Sequence, residues 1–164
     1  MIREAKPQDY QRILEITNQV IRTSNAIYRE EDHTMETRKE WFESKVEKNI
    51  PIYIYEEDGV VCGFVTYGAF RENPGYRFSV EHSLHIDKTY RVKGIGTQLL
   101  KHLIEHLKTT EYRLVIGVID QQNKLSLHLH EKIGFKLSGT IENVAIKHGV
   151  WLNVCFMSLD LKSV

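Results

Sequence analysis

Tyr90-Arg91-Val92-Lys93-Gly94-Ile95-Gly96-Thr97 is the stretch on which the reading of the fold turns. It follows an alternating run, Phe78, Val80, His82, Leu84 and Ile86, that reads as a strand, and it opens a helix. That helix, Gly94 to Lys108, places Ile95, Leu99, Leu100, Leu103, Ile104 and Leu107 on one face. Glycines at such a turn let backbone approach a ligand closely. The first helical N–H groups are unpaired, and with the helix dipole they favour an anion such as pyrophosphate. Two nucleotide motifs fail on these residues. A dinucleotide fingerprint needs a third glycine where Leu99 stands. A phosphate loop needs Gly-Lys followed by Ser or Thr, and the order here is Lys93-Gly94. Taken alone, the stretch reads equally as an ordinary glycine-rich turn.

Upstream of the turn, the spacing predicts a strand from Tyr76 to Ile86 and, before it, one from Val60 to Phe70. Asp58-Gly59 joins the latter to Ile52–Tyr55 as a hairpin. A short strand, Ile2 to Ala5, and two helices come first. Asp9 is expected to cap the helix running to Arg22; Thr34 or Thr37 starts the other, which runs to Lys48, with Thr37 and Glu40 as a capping box. Downstream, Arg113 to Ile119 is nearly all apolar, as in a strand buried on both faces. A short helix runs from Asn123 to Ile133 and stops at Gly134; strands Lys136 to Ile141 and Trp151 to Leu161 follow. This order of elements predicts an α/β (α+β) fold of three layers, a mixed sheet with helices on both faces.

The chain of 164 residues is the length of one domain, residues 1–164. Its 22 Lys+Arg balance 22 Asp+Glu, which argues against a nucleic-acid partner. The halves differ: residues 1–82 hold 11 basic and 15 acidic side chains, and residues 83–164 hold 11 and 7, which reads equally as chance or, given a motif, as a second half that receives an anion. No apolar run is long enough to span a membrane, and the charged start, Met1-Ile2-Arg3-Glu4, has no signal-peptide core. A soluble cytoplasmic protein is expected. Cys62 and Cys155 lie in apolar strands and are too few for a disulfide framework or a thiolate zinc site. His102 and His106 have metal-ligand spacing but share the polar face of their helix, and no metal is expected.

Arg91-x-x-Gly94-x-Gly96 resembles the pyrophosphate motif of the GNAT superfamily of acyl-CoA-dependent N-acetyltransferases. Asn123-x-x-Ser126-x-x-x-His130-Glu131-Lys132-Ile133-Gly134-Phe135 is similar to the second motif of that superfamily. Within it, Val80-Glu81-His82-Ser83-Leu84-His85-Ile86, Leu129-His130-Glu131 and Lys147-His148-Gly149-Val150-Trp151 resemble the phosphinothricin acetyltransferase-like group, which has His where many members have Tyr. The resemblance implies the GNAT fold, with a central, mostly antiparallel sheet, and acetyl-CoA as co-substrate. It places the pyrophosphate on Arg91, Val92, Lys93, Gly94, Ile95, Gly96 and Thr97. The rest of the cofactor then runs along Leu84, His85, Ile86, Asn123 and Ser126.

Acyl transfer to an amine needs a base, a polarised carbonyl and a proton for the thiolate. Glu81 is a lone acid within a strand, where burial would raise its pKa and suit it as general base. An exposed strand face, or an ion pair with Arg77, is the plain alternative. His130, one turn after Ser126, is expected to protonate the thiolate or orient the amine. Tyr28, Arg29, Phe70, Arg71 and Tyr76 combine aromatic and cationic groups that suit a small anionic amine such as an amino-acid analogue. Where the phosphinothricin group carries a second basic residue, this chain has Asn73. The expected product is an acetylated α-amine made by direct attack. Other amines, protein N-termini and a CoA-sensing module remain as alternatives. A homodimer is expected through the apolar edge of the final strand, Trp151 to Leu161.

Overall fold

The computed structural model describes residues 1–163. One seven-stranded sheet runs through them. Its strands are β1 (Ile2–Glu4), β2 (Tyr53–Glu57), β3 (Val60–Ala69), β4 (Ser79–Ile86), β5 (Leu114–Asp120), β6 (Lys136–Lys147) and β7 (Val150–Asp160). They lie in the order β1-β2-β3-β4-β5-β7-β6. Every neighbouring pair is antiparallel except β4–β5. Four helices cover it: α1 (Tyr10–Thr23), α2 (Met35–Glu47), α3 (Ile95–Lys108) and α4 (Lys124–Ile133).

Adjacent residues of β3 show why there are three layers. Phe64 packs with Ile13 and Ile16 of α1 and Phe42 of α2, while Val65 packs with Leu99, Leu103 and Leu107 of α3. Each of these fully buried side chains contributes about 1.5–3 kcal/mol of transfer free energy. The register carries this division into β4: Phe64 faces His85 and Gly68 faces Glu81 on the α1/α2 side, and Val65 faces Leu84 and Tyr67 faces His82 on the α3/α4 side. Cys62 and Cys155 are buried and free.

Several expectations are corrected. Asp9 sits at the N-cap of α1 but does not cap it. Its carboxylate accepts from Arg3 Nη1 (2.7 Å) and from the Lys6 N–H (2.7 Å), closing the 3-10 turn Pro7–Asp9 instead. The box at α2 is formed by Thr34 and Thr37: each hydroxyl accepts the other's N–H, at 3.1 and 3.0 Å. Tyr76 lies in a 3-10 turn with Pro74, so β4 starts only at Ser79. Strand β6 does not stop at Ile141. It shifts register between Ile141 and Ala145, with Asn143 at φ 52° donating its N–H to Asn153 Oδ1 (2.8 Å), and continues to Lys147.

The correction with most consequence concerns the last strand. β7 is not an edge, because β5 pairs with one side of it and β6 with the other. The short β1 is one edge of the sheet, and at the other end the edge is β6. Its hairpin with β7 is anchored by Lys147, whose buried ammonium donates to the carbonyls of Ile21, Ser24 and Ile27 (2.7, 2.7 and 2.9 Å). A strand thus closes the C-terminal end of α1, where carbonyls would otherwise lack partners.

Candidate active site

The glycine turn is built from below. Asp87 accepts the N–H and hydroxyl of Thr89 (2.8 and 2.7 Å) and Arg12 Nη2 (2.6 Å), fixing the 3-10 turn Lys88–Tyr90. The chain then passes through Val92 at φ 67° and Gly94 at φ 78°, the latter a left-handed conformation natural to glycine, and α3 begins. At Gly96 an added Cβ would come within 3.1 Å of Leu129 Cδ1, so the glycine lets α4 approach α3. Beside the turn lies a cavity of about 240 Å³, lined by Arg91, Gly94, Gly96, Thr97 and Lys132 among others. Its unpaired N–H groups and flanking cations suit a pyrophosphate.

From there the sheet opens. β4 pairs with β5 only from Ser79↔Leu114 to Glu81↔Ile116. Ser79 gives its carbonyl to Phe70, and Asp87 gives its N–H to Cys62, both towards β3. By alternation, the backbone groups of His82, Leu84 and Ile86 face the opposite side, where β5 has diverged. Leu84, Ile86, Arg91, Gly96, Asn123 and Ser126 line a cavity of about 320 Å³ in this opening. Asn123 holds α4 there by accepting the Ser126 N–H at 3.1 Å. A second cavity, about 210 Å³, adjoins it and reaches Glu81, His82, His85 and His130.

Glu81 is half-buried and forms no ion pair or hydrogen bond among the described residues. Burial raises its pKa, and the charge of Arg71 offsets part of that. Arg77 does not pair with it: its guanidinium donates to Pro74 O (3.1 Å) and lies over Phe78.

His130 is 1% exposed, and both its ring nitrogens are engaged. Nδ1 lies 2.7 Å from the Ser126 carbonyl, which can only accept, so Nδ1 carries the proton. Nε2, 2.9 Å from His82 Nε2, is then the acceptor of a bond donated by His82. Burial holds both rings neutral, lowering the pKa of each. Gly117 makes room for them, since a Cβ there would stand 3.0 Å from His82 Nε2.

The family model of the "Acetyltransferase (GNAT) family" matches residues 11–135. The chain belongs to the GNAT family. It is 34% identical to an L-amino acid N-acyltransferase of Escherichia coli K12, over 98% of this chain and 93% of that one. A methionine sulfoximine/methionine sulfone acetyltransferase of Pseudomonas aeruginosa is 35% identical, over 98% and 94%. Among solved structures, a phosphinothricin acetyltransferase from Sinorhizobium meliloti in complex with acetyl-CoA superposes with a TM-score of 0.93. The two are 31% identical, over 98% of this chain and 87% of that one. The fold is thus the GNAT fold, and the protein is an acyltransferase.

In this GNAT domain the residues selected as amine contacts fall into two groups. Phe70, Arg71 and Tyr76 gather at the β3–β4 connection, where Phe70 and Tyr76 meet edge to face and Arg71 stacks on Phe70. Tyr28 and Arg29 lie in the loop between α1 and α2. The Tyr28 hydroxyl donates to Asp120 Oδ2 (2.8 Å), and burial and that carboxylate raise its pKa; Arg29 Nε donates to Glu31 O. The sequence reading took His82 only as a member of its strand and passed over Asp120 and Arg38. The alternation of β4 carried a signal for His82; nothing local marked the other two. Among the described residues no His, Cys, Asp or Glu cluster could hold a metal ion, and His102 instead packs edge-on against Tyr53. No helix is long and apolar enough to cross a membrane.

Proposed function

We propose that this GNAT enzyme transfers acetyl from acetyl-CoA to the α-amino group of a small amino-acid-like substrate of the phosphinothricin, methionine sulfone or methionine sulfoximine type. The unpaired, half-buried carboxylate of Glu81, placed where β4 and β5 part, is the observation that carries the reading. The names of the relatives supply the substrate class.

Acetyl-CoA supplies an activated acetyl thioester. The backbone of Arg91, Val92, Lys93, Gly94, Ile95, Gly96 and Thr97 would hold its pyrophosphate. Leu84, His85, Ile86, Asn123 and Ser126 would hold the arm beyond it; the cleft that Gly96 keeps clear has the room. Glu81 takes the proton of the substrate ammonium, directly or through water, so that a neutral amine attacks. The N–H groups of Leu84 and Ile86 would stabilise the charge that gathers on the acyl oxygen; as the C–S bond breaks, the proton lost by the attacking nitrogen passes to the leaving CoA thiolate. Of the two roles open to His130, the orienting one fits a ring whose nitrogens are both engaged: with Ser126 and His82 it fixes the floor of the site. Phe70, Arg71 and Tyr76 close over the amine beside Glu81, and Tyr28 and Arg29 form the opposite wall. Neither buried cysteine is needed for direct transfer.

The enzyme would act in the cytoplasm, as a homodimer, and without a nucleic-acid partner. The dimer surface is reassigned to the free edge β6 and its hairpin, where Ile141, Val144, Ile146 and Trp151 are exposed.

Release of CoA thiol from acetyl-CoA against a panel of amines tests the reading. The panel holds phosphinothricin, methionine sulfone, methionine sulfoximine, common amino acids, spermidine and an N-terminal peptide. Turnover confined to the amino-acid analogues is expected. Turnover confined to spermidine or the peptide would discard the substrate class, and acetyl-CoA binding without turnover on any amine would favour a sensing module.

A further inference from the structure

Four buried side-chain polar atoms lack a partner among the described residues: His33 Nδ1, Arg38 Nε, His82 Nδ1 and His85 Nδ1. Buried polar atoms are rarely left so, and each calls for a reason. Three of the four belong together. Arg38, Phe42 and Lys45 succeed one another at helical spacing on the inner stripe of α2. Phe42 shares an apolar cluster with Phe64, whose ring lies 5.3 Å from that of His85, and Lys45 donates to the Tyr67 carbonyl on β3. The stripe therefore stands over the sheet face that carries His85 and Glu81. His33 is fixed just before α2 by two bonds with Asn18, at 2.8 and 2.9 Å. The charge of Arg38 acts on both histidines.

No counter-charge answers it. The Arg38 guanidinium lies over the Trp41 ring (3.8 Å) and forms no ion pair among the described residues, and the charge that acts on it is that of another cation, Arg29. Of the acids in the adjoining loop, Asp32 pairs with Arg22 and Glu30 with His148; Asp32 also acts on His33, and Glu31 is exposed and forms no ion pair among the described residues. Burial and Arg29 press its pKa down to about 10, which still leaves it charged at neutral pH. Burial and Arg38 lower His85 to about 4, so its ring is neutral and can donate one N–H without taking up a proton. His85 also lines both cavities of the site. Unpartnered polar atoms around one half-buried cation, with the two histidines carrying their proton on Nδ1, make a seat for an anion.

We propose that Arg38, with His33 and His85 beside it, seats an anionic oxygen group of the amine substrate. The inference rests on the substrate class proposed above and names the residue that recognises its charge. Two groups could supply the oxygens, the α-carboxylate or a side-chain anion such as the phosphinate of phosphinothricin.

Arg38→Met keeps the length of the side chain and removes the charge. Its expected effect is a rise of roughly tenfold to hundredfold in KM for methionine sulfone, the loss of a charge-assisted bond, with KM for acetyl-CoA unchanged. Arg38→Lys is expected to recover part of the loss. Methionine sulfone amide, which has no carboxylate, is expected to give equal KM values with wild type and variant. A penalty on phosphinothricin alone would assign the seat to the side-chain anion. An equal penalty on the acid and its amide, or no penalty on any anionic substrate, would overturn the proposal. So would a melting temperature well below that of the wild type, because removal of an unanswered half-buried cation is expected to leave it unchanged or raised. Should the wild type acetylate no amino acid at all, the substrate class falls by itself. The seat is then still decided by sulfate, expected to raise the melting temperature of the wild type and not of Arg38→Met.

Discussion

A carboxylate without a partner, half-withdrawn from water, holds its proton to higher pH than one on an open surface, and Glu81 is in that position. Glu81→Gln keeps the shape and removes the base. Turnover is expected to fall roughly a hundredfold or more while acetyl-CoA still binds, as followed by CoA release and by calorimetry. In the wild type, activity should rise with pH through a limb above the ordinary carboxylate range, and that limb should be absent from the variant. Glu81 was legible because it is the lone acid within a strand, and the glycine turn because few residue types tolerate its backbone. Arg38 was not, and for His82 the alternation marked the position but not its role, because its partner lies far along the chain: His130 is 48 residues from His82. Tyr28 shows the converse, a residue chosen for its chemistry whose hydroxyl is already bonded to Asp120, 92 residues on.

At the level of elements, hydrophobic periodicity together with caps and turn residues marked all seven strands and four helices, yet none of these could give their order. That β7 lies between β5 and β6 follows from pairing energies summed over two long ladders, which no local pattern records. The same gap put the free edge on the wrong strand. Val144→Lys with Ile146→Lys would set two charges on the β6 edge; if the dimer forms there, sedimentation should show the variant as monomer and the parent as dimer. For α3, the test is the approach of α4. Gly96→Val would press against Leu129 and Leu84 and is expected to raise KM for acetyl-CoA about tenfold, leaving KM for the amine unchanged. A rise in the amine value alone would mean that the cofactor lies elsewhere.

Over the whole molecule, charge joins the layers. Arg3 bridges Asp9 and Glu56, and Arg12 crosses from α1 to Asp87 beneath the glycine turn. Asp87 is 3% exposed. Burial alone would raise its pKa, but the bonds from Thr89 and Arg12 prevail and hold it at about 2, below the ordinary 3.8. The stability this represents, about 2 kcal/mol, is present above pH 4 and is lost as pH falls towards 2. Asp87→Asn should therefore lower the unfolding free energy by about that amount at pH 7, and the gap from wild type should close in acid, as denaturant titrations would reveal.

The ammonium of Lys147 grips three carbonyls at and beyond the end of α1, more than a hundred residues upstream. During synthesis those carbonyls leave the ribosome early and must wait, wetted by solvent, until nearly the entire polypeptide has emerged. Ala26 and Ile27, which border the acceptor cavity, cannot settle before then. Ser24 and Ala26 also border the donor cleft, so a nascent chain can shape neither chamber until its C-terminal hairpin has been made.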